Sequence, residues 1–308
     1  MTRSLTLLGV PASAGAFSPG QELAPAALRE AGLLDRLQAA GVDVEDLGDS
    51  PVWRWRTDRE HPRAQNSAAV LDIVRHTADR VERALEAGHP LLVLGGDCTV
   101  ELGTVAGHVG RGERVGLLYF DLHPDLNTPE SVPTGTLDWM GMAHALDLPG
   151  ALPELVAAGQ RKPLLEPNQV LFFSYGPDEA TPFELDQIER LGLERISVHE
   201  VASDPEGAAR GVLSGFGSRF ERLLVHFDVD VIDFTDLPLS ENAGRGEGLP
   251  FDAAMRALRI LLRDDRLSGL TVTELNPLHG DEEGRELERF VAALVDCVAA
   301  GDAQGAQR

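Results

Sequence analysis

Eight short runs rich in β-branched and aromatic residues recur along this 308-residue chain, and every gap between them is long enough to hold a helix. The runs cover residues 4–9, 42–47, 90–94, 115–120, 169–174, 196–199, 223–227 and 270–273. Strands spaced in this way are joined by crossovers and lie parallel. Several, such as Val115-Gly-Leu-Leu-Tyr-Phe120, are apolar throughout instead of alternating, so helices must cover both faces of the sheet. Helical candidates fall at 25–40, 66–87, 100–107, 151–158, 182–191, 204–215, 251–263 and 286–300; in the second, Val70, Ile73, Val74, Val81, Ala84 and Leu85 mark one apolar face. The expectation is an α/β fold with a mostly parallel sheet of about eight strands, built as one domain over residues 1–308. Residues 49–65 lack periodicity and read as a surface loop, and 301–308 as a polar tail.

Composition narrows the function classes. With 50 acidic residues against 27 basic, the net charge is −23, which argues against a nucleic acid or an anionic membrane as partner. Lys162 is the sole lysine, so a Schiff-base or lysine-phosphate site would hang on that one residue. The two cysteines, Cys98 and Cys297, imply no disulfide framework, and a reducing cytoplasm is the expected compartment. The opening MTRSLTLLGVPASAGAF has too short an apolar core for a signal peptide, and no run reaches the roughly 18 apolar residues of a membrane span.

The acids are not evenly spread. The run 115–120 passes directly into Asp121-Leu-His-Pro-Asp125-Leu-Asn127, so two carboxylates and an imidazole leave one strand end at alternate positions. The run 223–227 ends in Asp228-Val-Asp230-Val-Ile-Asp233, again with carboxylates at i and i+2, which project to the same side of an extended chain. Ligand sites of open α/β sheets lie beyond the carboxyl ends of the strands. Like-charged carboxylates gathered there repel one another, and a divalent cation resolves the conflict. Carboxylates with one histidine suit Mn²⁺, Mg²⁺ or Zn²⁺, with enough bridging groups for two ions.

Four segments give the pattern a family. Gly95-Gly-Asp-Cys-Thr99, Asp121-Leu-His-Pro-Asp125, His226-Phe-Asp-Val-Asp-Val-Ile-Asp-Phe234 and Glu274-Leu-Asn-Pro277 stand in the order, and at spacings similar to those, of GGDHS, DAHxD, SxDxDxxDP and ExNP in the ureohydrolase (arginase/agmatinase) superfamily, which the chain resembles. Gly9-Val-Pro11 and Gly20-Gln-Glu-Leu-Ala-Pro25 resemble the family's early glycine loop and first helix. The resemblance implies a three-layer α/β/α fold, a binuclear manganese site, and hydrolysis of a guanidine or amidine by a metal-bridging hydroxide with release of urea. It implies one ion held by Cys98, Asp121, Asp125 and Asp228 and another by His123, Asp121, Asp228 and Asp230. It further implies Asp125 as proton carrier, Glu274 as partner of the substrate guanidinium, and a homo-oligomer, trimer or hexamer.

Departures from the pattern leave alternatives open. Cys98 stands where the family has a metal-binding histidine: a thiolate there favours Zn²⁺ or Fe²⁺, leaves the site with another metal or a single ion, or is a buried thiol that binds nothing. In the loop where arginases read the substrate carboxylate, Asn127, Thr134 and Gly135 match, but Asp138 replaces a proton-shuttling histidine, with His144 six residues on. Phe234 replaces a proline, and Asp178 and Glu179 fall where arginases hold the substrate amino group. The expected activity is a metal-dependent amidinohydrolase acting on a small cationic guanidine, arginine-like before agmatine-like. The alternatives are a member with altered or lost catalysis, acting as a metal-binding or oligomeric protein, and a hydrolase of another C–N bond such as a formimino or amide group.

Overall fold

The computed structural model describes residues 3–299, so the tail 301–308 and the end of the last expected helix at Ala300 lie outside the described residues. The strands β1 (Arg3–Gly9), β2 (Val42–Asp49), β3 (Leu91–Leu94), β4 (Val115–Phe120), β5 (Val170–Tyr175), β6 (Glu194–Ser197), β7 (Arg222–Asp228) and β8 (Leu267–Thr273) form one sheet in the order β2-β1-β3-β8-β7-β4-β5-β6. Every pairing is parallel. The connecting helices are α1 (Ala24–Glu30), α2 (Leu33–Ala39), α3 (Ser67–Ala84), α4 (Val100–Gly110), α5 (Gly141–Ala145), α6 (Pro153–Val156), α7 (Pro182–Leu191), α8 (Val198–Ser203), α9 (Pro205–Ser214), α10 (Phe251–Leu261) and α11 (Arg285–Ala299).

The period-2 pleat divides each apolar strand between two cores. Leu118 and Phe120 of β4 face a core closed by α1, α2 and α8 to α11, whereas Leu117 and Tyr119 face one closed by α3 to α7. This is the three-layer α/β/α arrangement, and it explains the absence of alternation in the central strands. The edge strands β2 and β6 carry Asp43, Glu45 and Asp46, and Glu194 and Arg195, charges that discourage pairing with another sheet. No helix among the described residues is long and apolar enough to cross a membrane.

Local chemistry explains where the elements depart from expectation. The helix expected over 25–40 is two helices, because Gly32 adopts φ +84° and turns the chain between α1 and α2. The strand expected at 196–199 stops at Ser197, whose side chain accepts the Glu200 amide while Glu200 answers the Ser197 amide, a capping box that starts α8 instead. Of the helix expected at 151–158, Pro153–Val156 forms. Residues 49–65 hold one isolated bridge, Ala12 to Trp53, after β2 ends at Asp49.

The topology concentrates four strand ends. The chain builds β1 to β3 on one side, crosses to β4 to β6 on the other, and fills the centre with β7 and β8. Cys98 follows β3, Asp121 follows β4, Asp228 ends β7 and Glu274 follows β8, so the four motifs leave four adjacent central strands where the strand order reverses.

Behind this centre α4 packs closely on α3. A Cβ on Gly103 would lie 2.5 Å from Thr77 Cβ and 2.8 Å from the Val74 carbonyl oxygen, whereas one on the exposed Gly211 of α9 would meet nothing within 4 Å. Gly103→Val should therefore cost about 1–3 kcal/mol in denaturant unfolding through overpacking. Gly211→Ala should instead stabilise by roughly 0.4–1 kcal/mol, and the same sign for both would contradict this packing.

Candidate metal centre

The two acidic motifs use the same local device. Asp121 Oδ1 accepts the His123 amide at 2.7 Å and Asp228 Oδ1 accepts the Asp230 amide at 2.7 Å, so each strand end closes on itself two residues on. That is why the i, i+2 spacing delivers its side chains to one place. Asp125 and Glu274 take φ of +48° and +60°, unusual for residues with a Cβ, and both are pinned by their backbones. The Asp125 carbonyl accepts the Met142 and Ala143 amides, and the Glu274 amide donates to the Gly96 carbonyl at 2.8 Å.

Two groups of donors meet at Asp121. Cys98, Asp121, His226 and Asp228 offer one atom each within 4.8 Å of one another, as do Asp121, His123 and Asp230, and Cys98, Asp138 and Glu274 form a third such group beside them. Cys98 Sγ donates to Asp228 Oδ2 at 2.9 Å, and His123 Nδ1 lies 3.1 Å from Asp230 Oδ2. Asp121 belongs to both groups. Its Oδ2 and Asp230 Oδ1 are buried without a hydrogen-bond partner, a costly state for carboxylate oxygens that a cation would relieve. The residues present therefore fit a pair of divalent ions: oxygens and one imidazole in the second group suit Mn²⁺, and a thiol in the first suits a softer ion.

The remaining acids lie against these groups. The Cys98 amide donates to Asp138 Oδ1 at 2.6 Å and to Glu274 Oε1 at 3.1 Å, and Gln21 Nε2 donates to Glu274 Oε2 at 3.2 Å. Tyr119 donates its hydroxyl to Asp125 Oδ2 at 2.5 Å. Burial, then neighbouring negative charge, raises the pKa of Asp125, Asp138, Asp228 and Glu274 well above the usual carboxylate range. The Cys98 thiol is pushed up by burial and by Asp228. Asp121 goes the other way: burial raises its pKa, but His123 and His226 outweigh that and hold it low.

These groups floor a cavity of about 240 Å³. Its lining includes Asp125, Asp138, Glu179, Glu184, Asp228, Asp230 and Glu274, seven carboxyl groups, and no lysine or arginine. Asn127, Thr181 and Asn242 add neutral polar groups, and Phe17 and Trp139, 6.5 Å apart, supply partly exposed aromatic rings.

Of the residues singled out from sequence, Cys98, His123, Asp125, Asn127, Asp138, Asp228, Asp230 and Glu274 line this cavity, and Asp121 lies in both donor groups. Asp125 belongs to neither group and faces Tyr119 instead. Thr134 and Asp178 are exposed and outside the lining. Glu179 and Thr181, close to Asp178 in sequence, do line it. His144 is buried in α5, donating Nδ1–H to the Met140 carbonyl, with burial lowering its pKa to about 4. His226 in the first donor group, Tyr119 and Glu184 were not evident from sequence. For His226 the signal was present in its position two residues before Asp228 on the same strand.

The raised carboxyls set a pH dependence. A carboxyl whose folded-state pKa lies above its unfolded value stabilises the fold at low pH and loses that contribution as pH rises through the folded value. Asp125, Asp138, Asp228 and Glu274 all have this sign, and the opposite contribution of Asp121 is lost below the ordinary carboxylate range. Metal-depleted protein should melt at a higher temperature at about pH 6 than at about pH 8, and saturating divalent metal should shrink the difference. A melting temperature in chelator that is flat or rises with pH would contradict this electrostatic picture.

Comparison with known proteins agrees with the geometry. The Arginase family model matches residues 3–300. The arginase of Bacillus caldovelox is 29% identical over 299 residues, covering 95% of this chain and 97% of that protein. The arginase of Schizosaccharomyces pombe is 31% identical, covering 92% and 87%. The solved structure of the Bacillus caldovelox arginase superposes with a TM-score of 0.85 at 26% identity, covering 98% of this chain and 99% of that one. The family-model match over residues 3–300 and the likeness to these proteins over nearly the whole length place this chain in the arginase family.

Proposed function

We propose that this chain is a metal-dependent amidinohydrolase that cleaves a guanidine C–N bond of arginine or a related small cationic compound and releases urea. The observation that carries this reading is the cavity lined by seven carboxyl groups, with neither lysine nor arginine, directly above the two donor groups. A guanidinium offers planar, delocalised positive charge and several N–H donors to such a surface.

Divalent metal, when bound, would lower the pKa of water towards neutrality and so make hydroxide available as the nucleophile for the guanidine carbon. Cys98, Asp121, His226 and Asp228 would hold one ion and Asp121, His123 and Asp230 the other. Glu274, fixed by Gln21 and the Cys98 amide, presents a carboxyl to the guanidinium. An arriving cation favours its ionised form against the burial that raises its pKa. Asp125 takes the proton from the attacking water and returns it to the leaving amine, with the Tyr119 hydroxyl steadying the carboxyl. Asp138, where the resemblance has a histidine, offers a buried carboxyl beside Glu274, held by the Cys98 amide and able to accept a proton or to pair with the cationic substrate. Phe17 and Trp139 fit the aliphatic stem of a substrate such as arginine or agmatine.

Metal-loaded protein should release urea from at least one of arginine, agmatine, guanidinobutyrate and hydroxyarginine. Glu274→Gln should lower kcat/KM by about 10- to 100-fold, the worth of one charge-assisted hydrogen bond. Asp125→Asn should lower kcat by roughly 10²- to 10⁴-fold with KM little changed. Protein with metal bound and no urea from the whole panel would overturn this reading, and ammonia release from formimino or amide compounds would then replace it with hydrolysis of another C–N bond.

A further inference from the structure

Two positions in the motifs have exchanged chemistry. Position 98 carries a thiol where the family's GGDHS has imidazole, and position 226 carries imidazole where SxDxDxxDP begins with serine. The fold brings these positions together from separate strands: His226 Nε2 lies 3.4 Å from Cys98 Sγ and 3.6 Å from Asp121 Oδ2. His226 and Asp228 stand at i and i+2 of β7, so the pleat turns both to the same side.

We propose that His226 is a metal ligand, supplying from β7 the imidazole that position 98 lacks, in a Cys98–Asp121–His226–Asp228 site selective for Zn²⁺ or Fe²⁺ over Mn²⁺. The metal dependence inferred above is its premise. The imidazole is fully buried and stacked on Tyr119 with ring centroids 4.1 Å apart and planes within 5°, which fixes the plane of the ring. Its Nδ1 faces Glu101 Oε2 at 3.7 Å, and Glu101 is itself buried in the first turn of α4 with both oxygens otherwise unpartnered. Neither His226 Nδ1 nor Glu101 has a hydrogen-bond partner, and a carboxylate near one ring nitrogen with the other turned towards further ligand atoms is the arrangement from which a metal-bound histidine is oriented, which points to Nε2 as the ligating atom. Glu101 is thus a positioning residue. One thiolate, one imidazole and two carboxylates form a softer set than the oxygen-rich second group of Asp121, His123 and Asp230, so the two sites prefer different metals.

A buried imidazolium could instead act as an internal counter-ion among the acids, with no metal on Nε2. The two arrangements give opposite results. Full-length protein stripped with chelator is titrated with Zn²⁺, Mn²⁺ and Co²⁺, following bound metal by equilibrium dialysis and the thiolate-to-cobalt charge-transfer absorption. Wild type should bind Zn²⁺ more tightly than Mn²⁺ at one site and show the cobalt–thiolate band. Glu101→Gln should weaken that site about 10- to 100-fold and His226→Ser by at least as much, with the second site still filled by Mn²⁺. The double variant Cys98→His/His226→Ser should recover binding, lose the band and shift preference towards Mn²⁺, which keeps the test decisive even where His226→Ser folds poorly. Unchanged or tighter Zn²⁺ binding in His226→Ser, or a double variant that binds no better than His226→Ser, would overturn the proposal. Because nothing here reads turnover, protein inert on guanidines that still shows His226-dependent metal binding would sink the proposed activity and leave this site standing.

Discussion

Like charge buried at the ends of four parallel strands is the constraint on which this molecule turns. Asp121, Asp125, Asp228 and Glu274 are each less than one-twentieth exposed, and they crowd one another in surroundings where a lone carboxylate is expensive. The protein alone answers part of this demand, through backbone amides donated to Asp121, Asp228 and Glu274, the Tyr119 hydroxyl on Asp125, and raised pKa values. What it leaves unanswered, the bare oxygens of Asp121 and Asp230, is the part suited to cations. The α/β/α layering serves this arrangement, since helices on both faces keep the central strands dry up to their carboxyl ends.

Much of this was legible in the sequence because the relevant signals are local. An apolar strand on both faces writes itself as a continuous run, so residues 115–120 are read to the residue, as is the helix over 182–191. Elements governed by a single polar contact or a backbone angle were less legible. The left-handed turn at Gly32 and the capping box at Ser197 and Glu200 each overrode a reasonable extrapolation of periodicity.

The candidate site divides in the same way. The D-x-H and D-x-D spacings reveal their carboxylates because each turn is closed within two residues. His226 and Glu101 stayed hidden because the contacts that join Cys98 to His226 and His226 to Glu101 run between strands and a helix, across up to 128 residues, whereas Tyr119 lies only six residues before the Asp125 it bonds. A substitution read at one position, the loss of imidazole at 98, acquires a different sense once the imidazole at 226 lies beside it. Thr134 and Asp178 show the converse, since proximity in sequence to cavity residues did not bring them into the lining.

The central claim is that the acid cluster is built around two divalent ions held by an unequal pair of donor sets. Crystals of the metal-loaded protein, measured for anomalous scattering on either side of the manganese and zinc absorption edges, test it most directly. The account predicts two peaks about 3.5–4 Å apart between Asp121 and Asp228, with the ion beside Cys98 bonded to His226 Nε2 and of the softer element. Well-ordered crystals with no anomalous peak in the cluster, or with ions that leave both Cys98 and His226 unbound, would contradict it.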